Sequence, residues 1–572
     1  MLELRNRLAE SIVDFLKENG IDPEREEIIA QFKKPDNIKF GDIAFPVFRY
    51  AKDFKLPPVN IGKMIKDYFE SNPLHEIEKI EVVGGYVNFH VSPEWMFESL
   101  VQKVKERGDD FFKTDILKGK TIIVEFSSPN IAKPFSIGHL RSTVIGNFLR
   151  NLFKALGANV IGINHVGDWG TQFGKLIIAY KLWGDEKEFK KDPVKHMFSL
   201  YVRFHKEAEK DPSLEDKARE AFARLESGEE LERELWKKFR KHSLKEFEKT
   251  YKRLNVEFDQ VIGESFYSGK IESVVNLLEQ KGLLEVSENA LVVKLDDYNM
   301  PPCLIKKSDG STLYATRDIA AAIYRKERFN FDKMLYVVGS EQRLHFRQFF
   351  KVLEISGFEW ARNLEHIEFG LYRFKDGKMS TRKGKVIFLE DVLDESVDRI
   401  RKIMKEKNPD LKEKEREEIA EVLGVGAIIF NDLKNDRIKD VHFSWEEVLN
   451  LDGDSGPYIA YSYVRCNGIL RNAREVEEGF VPNFTHNSEV LLVKKLFEFS
   501  EIIDIAYRNR KSHFIANYLL ELTRSFTTFY HNCRVIGENK EVSSFRKTLV
   551  KLTLITLKSG AELLGMRLPD RM

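Results

Sequence analysis

The sequence predicts an α/β domain with a doubly wound parallel sheet, set between an α+β N-terminal domain and an all-α C-terminal domain. Three observations carry this. A short β-branched run at 121–126 leads through a Pro/Gly/Ser loop into a helical pattern and then a second apolar run at 160–164, which is how such a sheet begins. Strand patterns return at 334–338 and 366–372. After Glu415 almost every segment has helical period, at 419–430, 490–507, 514–530 and 545–564.

The elements follow in order. Residues 1–115 open with an amphipathic helix, with Leu8, Ile12, Phe15 and Leu16 among charges, unlike the continuous apolar core of a signal peptide. A strand-like stretch at 77–91 contains the turn pair Gly84-Gly85, and a loop Lys39-Phe40-Gly41-Asp42 precedes it. Residues 116–414 hold the sheet. In the helix after its first strand, Leu140, Val144, Ile145, Phe148 and Leu152 share a face. A charged helical insertion spans about 185–255, and residues 415–572 form the helical domain.

With 92 Lys+Arg against 91 Asp+Glu, any nucleic-acid surface is a local patch within a balanced protein. The three cysteines, Cys303, Cys466 and Cys533, lack CxxC spacing, which argues against a disulfide framework or zinc knuckle. No metal-ligand cluster is expected. No run reaches the length of a membrane span, so a cytoplasmic protein without membrane contact is the expectation.

The most informative stretch is EFSSPNIAKPFSIGHLRS at 125–142. Gly138 removes a side chain where a ligand could approach the backbone. His139 begins the next helix, where N–H groups and the positive dipole end favour phosphate, and Lys133 adds a cation. Taken singly, His139 reads as a cap and Lys133 as a solvated loop lysine; together they suit a triphosphate.

This passage resembles the HIGH signature of class I aminoacyl-tRNA synthetases, with Ser136-Ile137-Gly138-His139 in its four positions, and the longer string is similar to the arginyl-tRNA synthetase version. Ser136 stands where the first histidine is usual; it can donate a hydrogen bond but carries no charge. A second segment, DGKMSTRKG at 376–384, reads alone as a basic surface turn and resembles the partner KMSK signature. Lys378, Met379 and Ser380 match it, Thr381 replaces the last lysine, and Arg382 or Lys383 is available to meet phosphate charge.

The resemblance implies a Rossmann-type catalytic domain that activates L-arginine with ATP and Mg²⁺ and esterifies it to tRNA(Arg). Arginine recognition needs carboxylates aimed at a guanidinium. Glu125, Tyr314 and Asp318 are carried over as guanidinium contacts, and Ser128, Asn130 and Gln342 as holding the α-amino and carboxylate end. His165, Gly167, Asp168 and Gln172 join the crevice without assigned roles. The similarity further implies an N-terminal domain touching the outer corner of the tRNA and a C-terminal anticodon-binding domain. In that last domain Tyr458, Tyr461, Arg465, Tyr530 and Arg534 are the candidate RNA contacts, although tyrosines at helical spacing also suit a core. A monomer is expected. The rivals are a class I synthetase for another amino acid, disfavoured by the absence of a large editing insertion, and a catalytically silent tRNA-binding relative.

Overall fold

The computed structural model describes residues 2–35, 37–307, 314–373, 387–450 and 453–572. Two compact units emerge: one holds Met1–Phe112, Ser462–Ile505 and Tyr518–Ser559, and the other Lys113–Tyr461, Ala506–Asn517 and Gly560–Met572.

In the first unit, α1 (Leu2–Glu18) buries Leu8, Ile12, Phe15 and Leu16, as its period requires. Strand β1 (Ile43–Pro46) is followed by α2 (Pro58–Ser71) and by the hairpin β2 (Ile77–Val83) and β3 (Tyr86–Val91), turned at Gly84-Gly85. The antiparallel sheet runs β1-β3-β2. Helix α3 (Pro93–Arg107) sets Trp95 edge-to-face with Phe497 at 5.3 Å and Phe97 edge-to-face with Phe545 at 4.9 Å. Chain ends that read as separate domains thus share one aromatic core.

The second unit is built on five parallel strands: β4 (Thr121–Glu125), β5 (Asn159–Asn164), β6 (Gln260–Val261), β10 (Lys333–Gly339) and β11 (Leu364–Phe369), ordered β11-β10-β4-β5-β6. In chain order this is 3-2-1-4-5, and the order reverses between β4 and β10, where ligands bind in doubly wound sheets. Helix α4 (Ile137–Ala155) follows β4 and is buried on nearly every side. Gly146 permits this, since a Cβ there would stand 2.2 Å from Phe126. The insertion is helical and ends in the long α5 (Glu230–Arg253).

One element had no clear sequence signal: the small antiparallel sheet β7 (Leu284–Ser287), β8 (Ala290–Val293) and β9 (Cys303–Lys306). Helix α6 (Tyr314–Phe329) returns to the main sheet and α7 (Arg343–Ile355) joins β10 to β11. Beyond them, β12 (Tyr372–Arg373) pairs in parallel with β13 (Val441–His442), and α8 (Glu413–Leu433) lies between them in the chain. The apolar stretch 490–507 forms two helices, Asn487–Phe497 and Phe499–Asn509, instead of one. No helix among the described residues is long and apolar enough to cross a membrane.

Candidate active site

The chain leaves β4 through a strained turn. Ser127 and Ser128 have φ of 70° and 48°, left-handed values that cost a non-glycine residue about 1–3 kcal/mol each. Neighbours from four elements hold them. The Ser127 N–H donates to Ser142 Oγ at 2.9 Å, and that hydroxyl donates to the Val337 carbonyl on β10 at 2.7 Å. Ser127 Oγ meets the Tyr251 hydroxyl at 2.8 Å, Asn164 Nδ2 donates to that hydroxyl at 2.9 Å, and Asn164 Oδ1 accepts from the Ser128 N–H at 3.2 Å. Ser128 Oγ is left buried without a hydrogen-bond partner among the described residues, so it retains a donor for a ligand. Asn130 bridges Gly167, where a Cβ would stand 2.1 Å from Asn130 Oδ1. A side chain there would therefore displace the Asn130 amide, and the segment 164–168 is drawn against the first signature.

Ser136 caps α4, and its N–H donates to His139 Nδ1 at 3.1 Å. With Nδ1 accepting, the neutral imidazole carries its proton on Nε2. Burial, then the charge of Lys133, pulls the His139 pKa down to about 4. At neutral pH His139 is a hydrogen-bond donor without charge. Burial also lowers the Lys133 pKa, and its Nζ lies 5.2 Å from the centre of the Tyr201 ring. Gly138 has an open front: an added Cβ would meet only Ser136 Oγ, at 3.5 Å.

Lys378, Met379, Ser380, Arg382 and Lys383 lie outside the described residues, but both flanks of their segment are anchored near α4. On the exit side, Ser136 bridges Phe388, the Ile137 N–H donates to the Ile387 carbonyl at 3.2 Å, and the Leu389 N–H donates to the Phe135 carbonyl at 2.9 Å. On the entry side, Arg141, two residues after His139, donates to the carbonyls of Gly370 at 2.7 Å and Lys439 at 2.9 Å. It also faces Asp432 of α8 at 3.2 Å.

Beside this passage stands a cluster of acids. Glu125 ends β4 only 6% exposed and is paired with Arg325 of α6. Asp318 lies two turns before Arg325 on the same helix face and meets His345 Nε2 at 2.6 Å. Glu264, following β6, accepts from Arg317 at 2.7 Å, and burial raises its pKa to about 7. Asp168 is fully buried, accepting from Ser265 N–H at 2.8 Å, Ser265 Oγ at 2.9 Å and Arg240 Nε at 2.8 Å. Tyr314, 65% exposed, has the Arg317 guanidinium 5.1 Å from its ring centre, and Gln342 is exposed in the turn Ser340–Gln342 after β10.

The structure thus gathers Glu125, Ser128, Asn130, Lys133, Ser136, Gly138 and His139 on one strand–loop–helix passage, with Asp318 on a facing helix. Arg325, Glu264 and Tyr251 were missed by sequence reasoning. Arg325 reads as one cation in the charged run YRKER at 324–328, and only distant folding reveals its partner. Of the RNA candidates, Tyr458 is half-buried and Tyr461 exposed in the second unit. In the first, the Arg465 guanidinium stacks 4.5 Å from the centre of the exposed Tyr530 ring, and Arg534 is exposed.

Known proteins share this architecture. The family model for the class I tRNA synthetase (R) catalytic domain matches residues 100–445. The arginyl tRNA synthetase N-terminal domain matches 3–91 and the DALR anticodon binding domain 459–572. An arginine–tRNA ligase of Clostridioides difficile is 46% identical over 98% of this chain and 99% of its own. One from Halothermothrix orenii is 44% identical over the same shares. Among solved structures, the Thermus thermophilus arginyl-tRNA synthetase superposes with a TM-score of 0.82 at 26% identity, covering all of both chains. The Plasmodium falciparum enzyme gives 0.80 at 26% identity, covering 99% of each. With matches along its whole length, the chain belongs to the arginyl-tRNA synthetase family.

Proposed function

We propose that the crevice at the carboxyl ends of β4 and β10 performs both steps of arginine–tRNA ligation with the residues assigned as follows. L-Arginine and ATP give arginyl-adenylate and pyrophosphate, and the arginyl group is then transferred from the adenylate to the 3′ end of tRNA(Arg) with release of AMP. The observation that carries the assignment is the convergence, beside β4, of oriented phosphate donors and a buried acid cluster.

Asp318 and Glu125 read the guanidinium with Tyr314 at the entrance, while Ser128, Asn130 and Gln342 hold the amino and carboxylate groups. The arginine carboxylate attacks the α-phosphate. Nε2 of neutral His139, the open backbone at Gly138 and the Ser136 cap orient the phosphates, and Lys133 meets their charge. Lys378, Met379, Ser380, Arg382 and Lys383 complete the grip on departing pyrophosphate. Because His139 is uncharged, most of the triphosphate's charge falls to Lys133, the second signature and Mg²⁺. Mg²⁺ brought by the nucleotide would supply further positive charge against the phosphates.

Residues 1–115 serve the outer corner of the tRNA, 116–414 the chemistry and 415–572 the anticodon, through Tyr458, Tyr461, Arg465, Tyr530 and Arg534. The enzyme acts as a cytoplasmic monomer. Pyrophosphate exchange with arginine and tRNA(Arg) tests the assignment, with each site residue replaced in turn. Arginine-dependent exchange that survives loss of both Asp318 and Glu125 would refute it. For the anticodon, Tyr458→Ala should weaken tRNA binding and blunt the response to an altered anticodon; an undiminished response excludes Tyr458.

A further inference from the structure

Arg325 is a cation at the floor of a pocket that must itself receive a cation. It is 1% exposed. One guanidinium nitrogen pairs with the Glu125 carboxylate, another donates to His165 Nδ1 at 3.2 Å, and its carbon lies 5.7 Å from the Tyr267 ring centre. Tyr336 of β10 stands in register opposite Glu125. The groups acting electrostatically around Glu125 are thus Arg325, His165, Tyr267 and Tyr336, with Asp318 felt by the histidine and by Tyr336.

The wider cluster is nearly balanced. Glu125 has Arg325, Glu264 has Arg317 and Asp168 has Arg240, while among the described residues Asp318 faces His345 and no arginine or lysine. A guanidinium ligand would pair with it.

We propose that Arg325 is a specificity-determining positioning residue for arginine. It occupies one side of the Glu125 carboxylate, holding it oriented while the pocket is empty, and leaves the other side to one substrate guanidinium. This rests on the reading that Glu125 and Asp318 contact the substrate. Without Arg325, Glu125 would lose its buried cationic partner and its fixed orientation. Arginine would then have to reorder the carboxylate as it binds.

The test is steady-state kinetics of Arg325→Gln, Arg325→Lys and Glu125→Gln between pH 6.5 and 8.5, with thermal melts to establish folding. Arg325→Gln should raise the arginine KM about tenfold or more and leave the ATP KM within about twofold. Arg325→Lys, keeping the charge, should recover most of the affinity across the range. Arginine and ATP KM rising in parallel, or a defect that lysine does not relieve, would reduce Arg325 to scaffolding and overturn the proposal. If Arg325→Gln does not fold, Arg325→Met takes its place: a rise in arginine KM with an unmoved ATP KM supports the role, and an unchanged arginine KM overturns it. An unchanged arginine KM in Glu125→Gln would instead remove Glu125 from the pocket, a failure of the underlying reading that this arm alone reports.

Discussion

On the amino-acid wall of the crevice each acid has a base of its own: Arg325 for Glu125, Arg317 for Glu264, Arg240 for Asp168 and His345 for Asp318. On the phosphate wall His139 is neutral, and Lys133 has no acid partner among the described residues. On the proposed assignment, the contrast follows from what each wall would recognise. A guanidinium keeps the same charge throughout, so a field balanced in advance selects it without leaving several buried acids unpaired. The charge on a reacting triphosphate moves, and donors not already neutralised can follow it into the transition state.

The sharpest way to break this comparison is Asp318→Asn, which removes an acidic charge from the amino-acid wall. Truncating one partner of a desolvated charge pair typically costs about 2–5 kcal/mol. The arginine KM should rise accordingly while the ATP KM hardly moves; an unchanged arginine KM would take Asp318 out of the pocket. Next comes the phosphate wall. Lys133→Ala should lower kcat roughly 10²-fold with modest KM changes, as expected for a preorganised donor. Arg382→Ala and Lys383→Ala, assayed beside it in tRNA-dependent pyrophosphate exchange, show whether the charge resides on the second signature instead. A near-normal kcat in Lys133→Ala with collapse in either of the others would move it there.

A smaller effect should come from Glu264. With its pKa near 7, it is about half-ionised in the empty enzyme at that pH, so kcat/KM for arginine should climb a few-fold between pH 6 and 8 as the acid wall gains charge. Glu264→Gln should flatten the rise. A profile identical in wild type and mutant would show that Glu264 does not face the substrate.

The smallest concerns stability, and here the two walls have opposite signs. His139, lowered from 6.5 to about 4, contributes stability that is present above pH 6.5 and lost as pH falls toward 4. Glu264, raised from 4.5 to about 7, contributes stability present below 4.5 and lost as pH rises toward 7. Urea titrations of His139→Gln and Glu264→Gln from pH 4 to 7.5 should therefore shift the pH dependence in opposite directions. A shared direction would show that one of the environments is misread.

How much of the site could be read beforehand depended on locality. The passage 125–142 was legible because strand, loop and helix start lie within eighteen consecutive residues, and each obeys a short-range rule; the strain at Ser127 and Ser128 was not. The acids were legible only as candidates: a carboxylate at a strand end looks the same whether it faces solvent, substrate or an internal arginine. The sheet at 284–306 escaped because its strands are four residues each and β7 is largely exposed, leaving little alternation to detect.

By itself, then, the sequence determined the broad order of strand and helical regions, the doubly wound parallel sheet, and the chemical character of the passage 125–142. Those depend on periodicity, caps and turn residues acting over a few positions. Only the tertiary structure decided which charge meets which. Glu125 and Arg325 are 200 residues apart in sequence and Asp168 is 72 from Arg240; their pairing depends on strand order and helix placement. Burial then fixes the rest, because a charge removed from water needs a partner wherever the chain can supply one.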